Sequence, residues 1–176
     1  INVSVEKRFP LIKKFLYSDP EIFLRELISN ATDALTKMQH LSSIGEVKGE
    51  IGDLGVELKV DKKAKKLHII DNGVGMTSDE VKKYINDVAF SGAEEFLEKY
   101  KETSKDTGII GHFGLGFYSS FMVSDKVEII TKSYKDEPAA HWICDGSPEY
   151  SLKKSDKIER GTEIILHISK DSKDYL

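Results

Sequence analysis

Apolar residues recur at helical spacing along one long stretch of the chain. The repeat of three or four residues predicts an amphipathic helix, and its stripe consists of Leu24, Leu27, Ile28, Ala31, Leu35 and Met38. The segment Ser18-Asp19-Pro20-Glu21 comes just before it. This segment offers a capping oxygen, a proline in the first turn and a glutamate three residues after the serine. We therefore expect a helix from about Pro20 to Leu41.

Alternating apolar and polar positions predict strands in much of the remaining chain. The predicted strands are 1–5, 56–60, 67–70, 127–131, 141–144, 150–152 and 163–168. Shorter helices are predicted at 9–17, from Thr77 onward, at 94–100 and at 117–123. This mixture of helices and hairpins predicts an α+β fold. We expect a two-layer sandwich in which a mixed, mostly antiparallel sheet carries helices on one face.

Composition narrows the function only in part. The chain has 176 residues, 39% hydrophobic and 32% charged, which is the balance of one ordinary soluble domain. With 26 basic and 30 acidic residues the net charge is −4, which gives no support to a nucleic-acid surface. The single cysteine, Cys144, excludes an internal disulfide and a multi-cysteine metal site and fits a reducing compartment.

The sequence contains no apolar run of membrane-spanning length. Its first residues alternate like a strand and do not form a signal peptide. We expect residues 1–176 to be a single domain of a longer, cytoplasmic protein.

Four polar residues lie on one side of the predicted long helix. Glu26, Asn30, Asp33 and Lys37 are spaced four, three and four residues apart, which places them in a band about 60° wide beside the apolar stripe. One interpretation is a solvated face with ordinary side-chain pairs one turn apart. The other is a cleft wall, where an amide and two carboxylates hold a hydrated magnesium ion and a water. Asn30 favours the second, because asparagine is a poor helix former in a helix interior.

A glycine-rich turn follows the strand predicted at 67–70. Its sequence is Asp71-Asn72-Gly73-Val74-Gly75-Met76. A plain Asn-Gly turn would explain its second and third residues, but it requires neither Gly75 nor a carboxylate at the end of a buried strand. A buried Asp71 needs hydrogen-bond donors, and the amino group of a nucleobase, with ordered water, is one. Gly75 would allow close approach of a flat ring, and Met76 would pack on its face.

Two later motifs also allow a structural and a functional interpretation. The loop Gly111-His112-Phe113-Gly114-Leu115-Gly116 opens the helix predicted at 117–123, so its amides can converge on an anion at a helix start. It lacks the Lys-Ser/Thr ending of a P-loop, and it does not follow a strand as a dinucleotide-binding loop does. Arg160-Gly161-Thr162-Glu163 is a turn into a strand, and the Thr162 hydroxyl can also bind a ring nitrogen or a water.

Together these motifs resemble the GHKL superfamily of gyrase, heat-shock chaperone, histidine kinase and mismatch-repair ATPases. The sequences of the motifs are similar to those of the ninety-kilodalton heat-shock chaperones in particular, above all to those of their bacterial HtpG branch. The segments that carry this likeness are Ile22-Phe23-Leu24-Arg25, Glu26-Leu27-Ile28-Ser29-Asn30-Ala31-Thr32-Asp33-Ala34 and Gly114-Leu115-Gly116-Phe117-Tyr118-Ser119-Ser120-Phe121. The resemblance covers essentially the whole chain. It implies ATP or ADP with Mg²⁺ as cofactors, and slow ATP hydrolysis that drives the conformational cycle of a protein-folding chaperone.

The resemblance also implies roles for single residues. Glu26 matches the general base that activates the attacking water, and Asn30 matches the magnesium ligand. Arg25 and Asp33 match polar neighbours of that centre. Asp71 matches the carboxylate that recognises adenine, helped by Thr162. The remaining matches are pocket walls at Ala34, Gly75, Met76, Asn86 and Phe117, a rim residue at Lys37, the phosphate loop from Gly111 to Gly116, and a mobile lid at about 86–116.

The implied partners are ATP, client proteins bound through other domains, and a second copy in a full-length homodimer, with no nucleic acid or membrane. The family's catalytic arginine comes from the following domain, which this chain lacks. The sequence departs from the family pattern at Phe90, where a lysine is common, at His112, where glutamine is common, and at 84–88, which lacks the usual Leu-Gly-Thr.

Two other functions remain open from the sequence. One is another member of the same superfamily, such as a gyrase, mismatch-repair or histidine kinase domain. The other is a nucleotide-sensing module that does not hydrolyse its ligand. Glu26 argues against the second, because binding alone needs no general base.

Overall fold

The computed structural model describes residues 21–84, 117, 119–146 and 149–176. Several predictions lie outside these residues. They are the strand at 1–5, the helices at 9–17 and 94–100, the helix start at 18–20, the lid at about 86–116 with Asn86 and Phe90, and the glycine loop from Gly111 to Gly116.

Helices and strands are intermixed along the described chain. The helices are α1 (Ile22–Ser43), α2 (Ser78–Lys83) and α3 (Ser120–Val123), followed by a 3-10 helix at Lys170–Tyr175. The strands are β1 (Val56–Asp61), β2 (Lys66–Asp71), β3 (Ser124–Lys132), β4 (Ala139–Cys144), β5 (Tyr150–Ser155) and β6 (Gly161–Ile168). They form one sheet in the order β1-β2-β6-β3-β4-β5. Every strand pair in this sheet is antiparallel, so the α+β prediction is confirmed.

The apolar stripe of α1 packs against the sheet. Phe23 and Leu27 are fully buried in the same core as Ile69 of β2 and Trp142 of β4. Each large apolar side chain buried in this way contributes roughly 1.5–3 kcal/mol. The core therefore holds α1 firmly enough to present its polar band along a defined line.

The strand register brings three polar residues into one row. Asp71 on β2 lies opposite Thr162 on β6, and Thr162 lies opposite Thr131 on β3. Side chains of directly paired residues point to the same face of a sheet. Because Leu67 and Ile69 share the face of Asp71 and are buried, this row lies on the face that the helices cover.

The opposite face of the sheet carries histidine–glutamate pairs. His141 Nε2 lies 2.8 Å from Glu128 Oε1, and His167 Nε2 lies 2.6 Å from Glu128 Oε2. The hydrogen bonds from the two histidines lower the pKa of Glu128 against the opposing effect of its burial. His68 and Glu163 form a further pair, with 2.9 Å between Nδ1 and Oε1.

Element boundaries differ from the sequence prediction by small amounts. Helix α1 begins and ends two residues later than expected, at Ile22 and Ser43. Strand β3 is longer than predicted, because it pairs on both sides with β4 and β6. The helix predicted to begin at Thr77 is confirmed, and Thr77 and Glu80 form a reciprocal capping box. Of the helix predicted at 117–123, the continuous described part is Ser120–Val123.

Candidate nucleotide site

A cavity of about 790 Å³ lies between α1, the central strands and the turn after β2. This volume is in the range of sites that hold small organic ligands. Its walls are mainly apolar, and polar groups are placed at a few points among them. The lining residues are Leu27, Asn30, Ala31, Asp33, Ala34, Thr36, Lys37, His40, Leu41, Ile69, Asp71, Val74, Gly75, Met76, Glu80, Lys83, Tyr84, Ile129, Tyr134, Lys135, Thr162 and Ile164.

The turn after β2 is packed directly against α1. The amide of Val74 donates to the carbonyl oxygen of Ala34 at 3.2 Å. A side chain on Gly73 would overlap the backbone of Ala34, so only glycine allows this approach. Gly75 has φ +64°, and a side chain there would overlap the carbonyl oxygen of Lys132. The two glycines therefore allow the turn to pack closely against α1 on one side and β3 on the other.

Arg160 fastens the outer side of the same turn. Its guanidinium donates to the carbonyl oxygens of Asn72, at 2.8 Å, and of Gly73, at 3.1 Å. It also donates to the carbonyl oxygen of Ile51 at 2.9 Å. Asn72 also contacts the segment before β1 that contains Ile51, because its Nδ2 donates to the carbonyl oxygen of Asp53 at 2.8 Å. Local pattern assigned Arg160 only to a turn, since its partners lie 87 to 109 residues earlier in the chain.

Asp71 is a buried carboxylate in the cavity, with 7% of its surface exposed. Its Oδ1 accepts a hydrogen bond from the amide of Gly73 at 2.9 Å. Burial raises the pKa of Asp71 to about 6, although hydrogen bonds from the backbone of Gly73 and Thr162 and the charge of Lys157 lower it in part. A carboxylate buried at this cost is available to accept a hydrogen bond from a ligand.

Two threonine hydroxyls lie beside Asp71 in the row across the sheet. Thr131 Oγ1 and Thr162 Oγ1 are 2.8 Å apart. Thr131 Oγ1 also accepts from the amide of Met76 at 2.9 Å. Thr131 was not predicted from the sequence. Its place in β3 carries no motif, and only the register with β6 brings it beside Thr162.

Three of the four residues in the polar band of α1 line the cavity. Asn30, Asp33 and Lys37 line it, so the cleft interpretation is supported over a simple solvated face. Glu26 lies one turn before Asn30 and is half-buried, and it is outside the set that lines the cavity. The pKa of Glu26 is raised, first by burial and then by the negative charge of Asp33. Arg25 is exposed on α1.

The remaining predicted residues separate into two groups. Ala34, Gly75, Met76 and Thr162 line the cavity. Phe117 instead lies in the core with 1% of its surface exposed, where it contacts Trp142 with 6.0 Å between ring centroids. Its role as a pocket wall stays a prediction.

Side chains of both charges line the cavity. Lys37 lies on α1, Lys83 at the end of α2 and Lys135 after β3. Asp33 and Glu80 also line it, and Lys135 Nζ lies 3.8 Å from Glu80 Oε2. Among the residues with described positions, no group of three histidine, cysteine, aspartate or glutamate side chains is arranged to hold a metal ion.

A comparison with known protein families identifies the family to which this chain belongs. The family model described as histidine kinase-, DNA gyrase B- and HSP90-like ATPase matches residues 17–173. The chain belongs to this ATPase family. The six-stranded sheet with helices on one face is consistent with the fold of the family, and the resemblance noted from the sequence is confirmed.

Relatives within this ATPase family are found in bacteria and eukaryotes. The chain is 57% identical over 177 residues to the chaperone protein HtpG of Porphyromonas gingivalis, covering 100% of this chain and 26% of that protein. It is 58% identical to the HtpG of Bacteroides thetaiotaomicron, covering 100% of this chain and 25% of that protein. It is 43% identical to the endoplasmin homolog of Dictyostelium discoideum, covering 99% of this chain and 23% of that protein. The chain thus spans about a quarter of the length of these relatives. No described helix is long and apolar enough to cross a membrane.

Proposed function

We propose that the chain binds ATP in this cavity as the N-terminal nucleotide-binding domain of a chaperone. With residues from a following domain, it hydrolyses ATP slowly, and this hydrolysis drives the conformational cycle of the protein-folding chaperone. The observation that carries the proposal is the buried carboxylate of Asp71 beside Thr162 in an otherwise apolar cavity. The close relation to HtpG chaperones over the whole chain supports it.

The cavity fits an adenine ring. Ile69, Ile129 and Ile164 supply apolar walls, and Asp71 supplies an acceptor among them. The exocyclic amino group of adenine is a donor, so it matches an ionised carboxylate. Guanine presents a carbonyl oxygen at the same ring position, which would face the carboxylate as a second acceptor. The chemistry of the wall therefore favours adenine over guanine.

Asn30 fits a place next to a magnesium ion held by phosphates. Within the described part of the chain, its Nδ2 is engaged by a side chain while its Oδ1 receives no donor. An amide oxygen is a suitable ligand for Mg²⁺, which usually keeps several waters and binds few protein groups. When bound, Mg²⁺ would neutralise negative charge on the phosphates.

Glu26 is suited to accept a proton from water. Its raised pKa brings it closer to neutral pH, which improves a carboxylate as a general base. Lys37 at the rim supplies positive charge for the polyphosphate. The glycine loop at 111–116 supplies further amides by resemblance, although it lies outside the described residues. Homodimer formation, client binding and a cytoplasmic location are proposed for the full-length protein on the same resemblance.

Isothermal calorimetry with ATP, ADP and GTP tests the nucleotide site. ATP and ADP should bind the wild-type chain, and GTP should bind at least tenfold more weakly. Asp71→Asn should lose roughly 1.5–3 kcal/mol of binding free energy for ADP, because its amide would present a donor to the adenine amino group. The fold should survive, since the asparagine Oδ1 can still accept from Gly73. Wild-type ADP affinity in the folded variant would remove Asp71 from adenine recognition.

A further inference from the structure

The hydroxyl group of Tyr84 contacts Asn30, the residue proposed to bind magnesium. Asn30 Nδ2 donates to the phenol oxygen of Tyr84 at 3.0 Å, across 54 residues of sequence. Tyr84 lines the same cavity as Asn30. We infer that Tyr84 is a positioning residue that orients the amide of Asn30, so that Oδ1 faces the bound metal and phosphates. This inference rests on the proposed nucleotide site.

An amide side chain needs such a partner, because its two ends are chemically opposite. Its oxygen can bind a cation, whereas its nitrogen carries two hydrogens and repels one. A half-turn about the last bond of the side chain exchanges the two ends. The hydrogen bond to Tyr84 engages the nitrogen, and so it selects the orientation in which the oxygen is the end left to bind a metal.

The structure gives the direction of this hydrogen bond: Asn30 Nδ2 donates and the phenol oxygen of Tyr84 accepts. A phenol oxygen can accept a hydrogen bond while its own hydrogen points elsewhere.

Tyr84 is itself held by rigid neighbours. It ends helix α2, where its amide donates to the carbonyl oxygens of Glu80 and Val81. Its ring packs edge-on against Phe117, with 5.4 Å between centroids and an interplanar angle of 74°. The start of α2 is fixed by the Thr77–Glu80 capping box. This capping box follows directly after Met76, the last residue of the turn after β2. The hydroxyl therefore acts from a fixed position relative to both walls of the cavity.

The variant Tyr84→Phe isolates the hydroxyl, because the ring that contacts Phe117 is kept. ATP binding to the 176-residue chain should be measured by calorimetry across a series of Mg²⁺ concentrations. Adenosine binding without metal should be measured in parallel. We expect the Mg²⁺ concentration that gives half of its effect on ATP binding to rise roughly 3- to 10-fold, the factor that one neutral hydrogen bond contributes. Adenosine affinity should stay within about twofold, because adenosine has no phosphates.

Two further variants complete the test. Tyr150→Phe removes a hydroxyl from a ring that packs on Trp142 outside the cavity, and it should leave both measurements unchanged. On an Asn30→Ala background, Tyr84→Phe should have no further effect on Mg²⁺ dependence, since coupled residues are not additive.

The remaining outcomes are decisive. An unchanged Mg²⁺ dependence in Tyr84→Phe overturns the inference, and so does an equal loss of adenosine and ATP binding, which would make Tyr84 a structural residue only. A wild-type chain that binds ATP without any response to Mg²⁺ overturns both the inference and the metal role of Asn30, while adenine binding stands. A wild-type chain that binds neither ATP nor adenosine overturns the proposed function itself.

Discussion

Asp71 should make nucleotide affinity depend on pH, because burial raises its pKa to about 6. The ionised form accepts the hydrogen bond from adenine, and it is the major form at pH 7 but a minor one at pH 5. We expect the affinity for adenosine to fall roughly tenfold between pH 7 and pH 5. Adenosine is the suitable ligand for calorimetry, because it has no phosphate that titrates in this range. A flat profile over these two units would contradict the role of Asp71.

The stability of the unliganded protein should change with pH in the direction opposite to that of adenosine affinity. A carboxyl group whose pKa is higher in the folded state than in the unfolded state binds more protons when folded. Its burial therefore lowers the free energy of unfolding as pH rises from the ordinary value of 3.8 to about 6, by up to about 1.4 kcal/mol for each pH unit. In Asp71→Asn this contribution should be absent, which separates it from the effects of other groups.

Glu26 should be needed for turnover and not for binding. As the proposed general base it acts on water, so Glu26→Ala should bind ATP within about twofold of wild type and hydrolyse it roughly 10²–10⁴-fold more slowly. Phosphate release and ATP binding should be measured on the full-length protein. Turnover at the wild-type rate would assign the base elsewhere, with Asp33 as the next candidate on the same band.

The turn after β2 is the element on which the nucleotide site depends most. Gly75 should not tolerate alanine, because φ is +64° and the new methyl group would overlap the carbonyl oxygen of Lys132. Gly52 is a matched control, since its φ is +74° and no atom lies within 4 Å of the position that a methyl group would take there. We expect Gly52→Ala to lower the free energy of unfolding by about 1–2 kcal/mol through backbone strain alone.

Gly75→Ala should lose at least about 3 kcal/mol, because the overlap forces backbone to move in addition to the strain. Urea denaturation measures both variants. Displacement of the turn would also carry Met76 away from Thr131, so ATP affinity should fall in Gly75→Ala and stay unchanged in Gly52→Ala. Equal destabilisation of the two variants would show that the turn can adjust its position at little cost.

At the scale of the whole molecule, the chain should bind ATP but release phosphate very slowly. The family resemblance places a catalytic arginine in a following domain, and such an arginine contributes about 10³–10⁵ to rate in other phosphoryl-transfer enzymes. Arg25 is about 100° around the helix from Glu26, so it is poorly directed to substitute. Phosphate release should be compared between this chain and a longer chain that includes the next domain. Equal rates would falsify the split site.

Much of the fold was predictable from local pattern. The stripe of α1 and the alternation in β2 indicated the correct type of element, because each buries one face against the same core. The boundaries were less accurate for β3 and β6, since pairing with neighbours extends a strand into polar or glycine positions such as Lys132 and Gly161. Local sequence does not contain that information.

Residues of the candidate site were predictable where they belong to a local sequence motif. They were not predictable where only tertiary contacts bring them to the cavity. Asp71 and Gly75 were identified from the turn, and Asn30 from its helical spacing. Tyr84 lines the cavity and Thr131 supports Thr162 from behind, and neither was predicted, because each is placed by tertiary contacts, with Asn30 and with Thr162 respectively. Arg160 was assigned to a turn, while its hydrogen bonds to the carbonyls of Asn72 and Gly73 are contacts between distant parts of the chain.

The row formed by Asp71, Thr162 and Thr131 has a consequence for the order in which the protein matures. Its members come from β2, β3 and β6, and the last of these strands begins only at Gly161. During synthesis the proposed adenine wall therefore stays incomplete until the residues of β6 have left the ribosome. A nascent chain cannot be held by nucleotide before its central strands have paired. Under the proposed function, ATP would then add stability only to molecules in which these three strands have already paired.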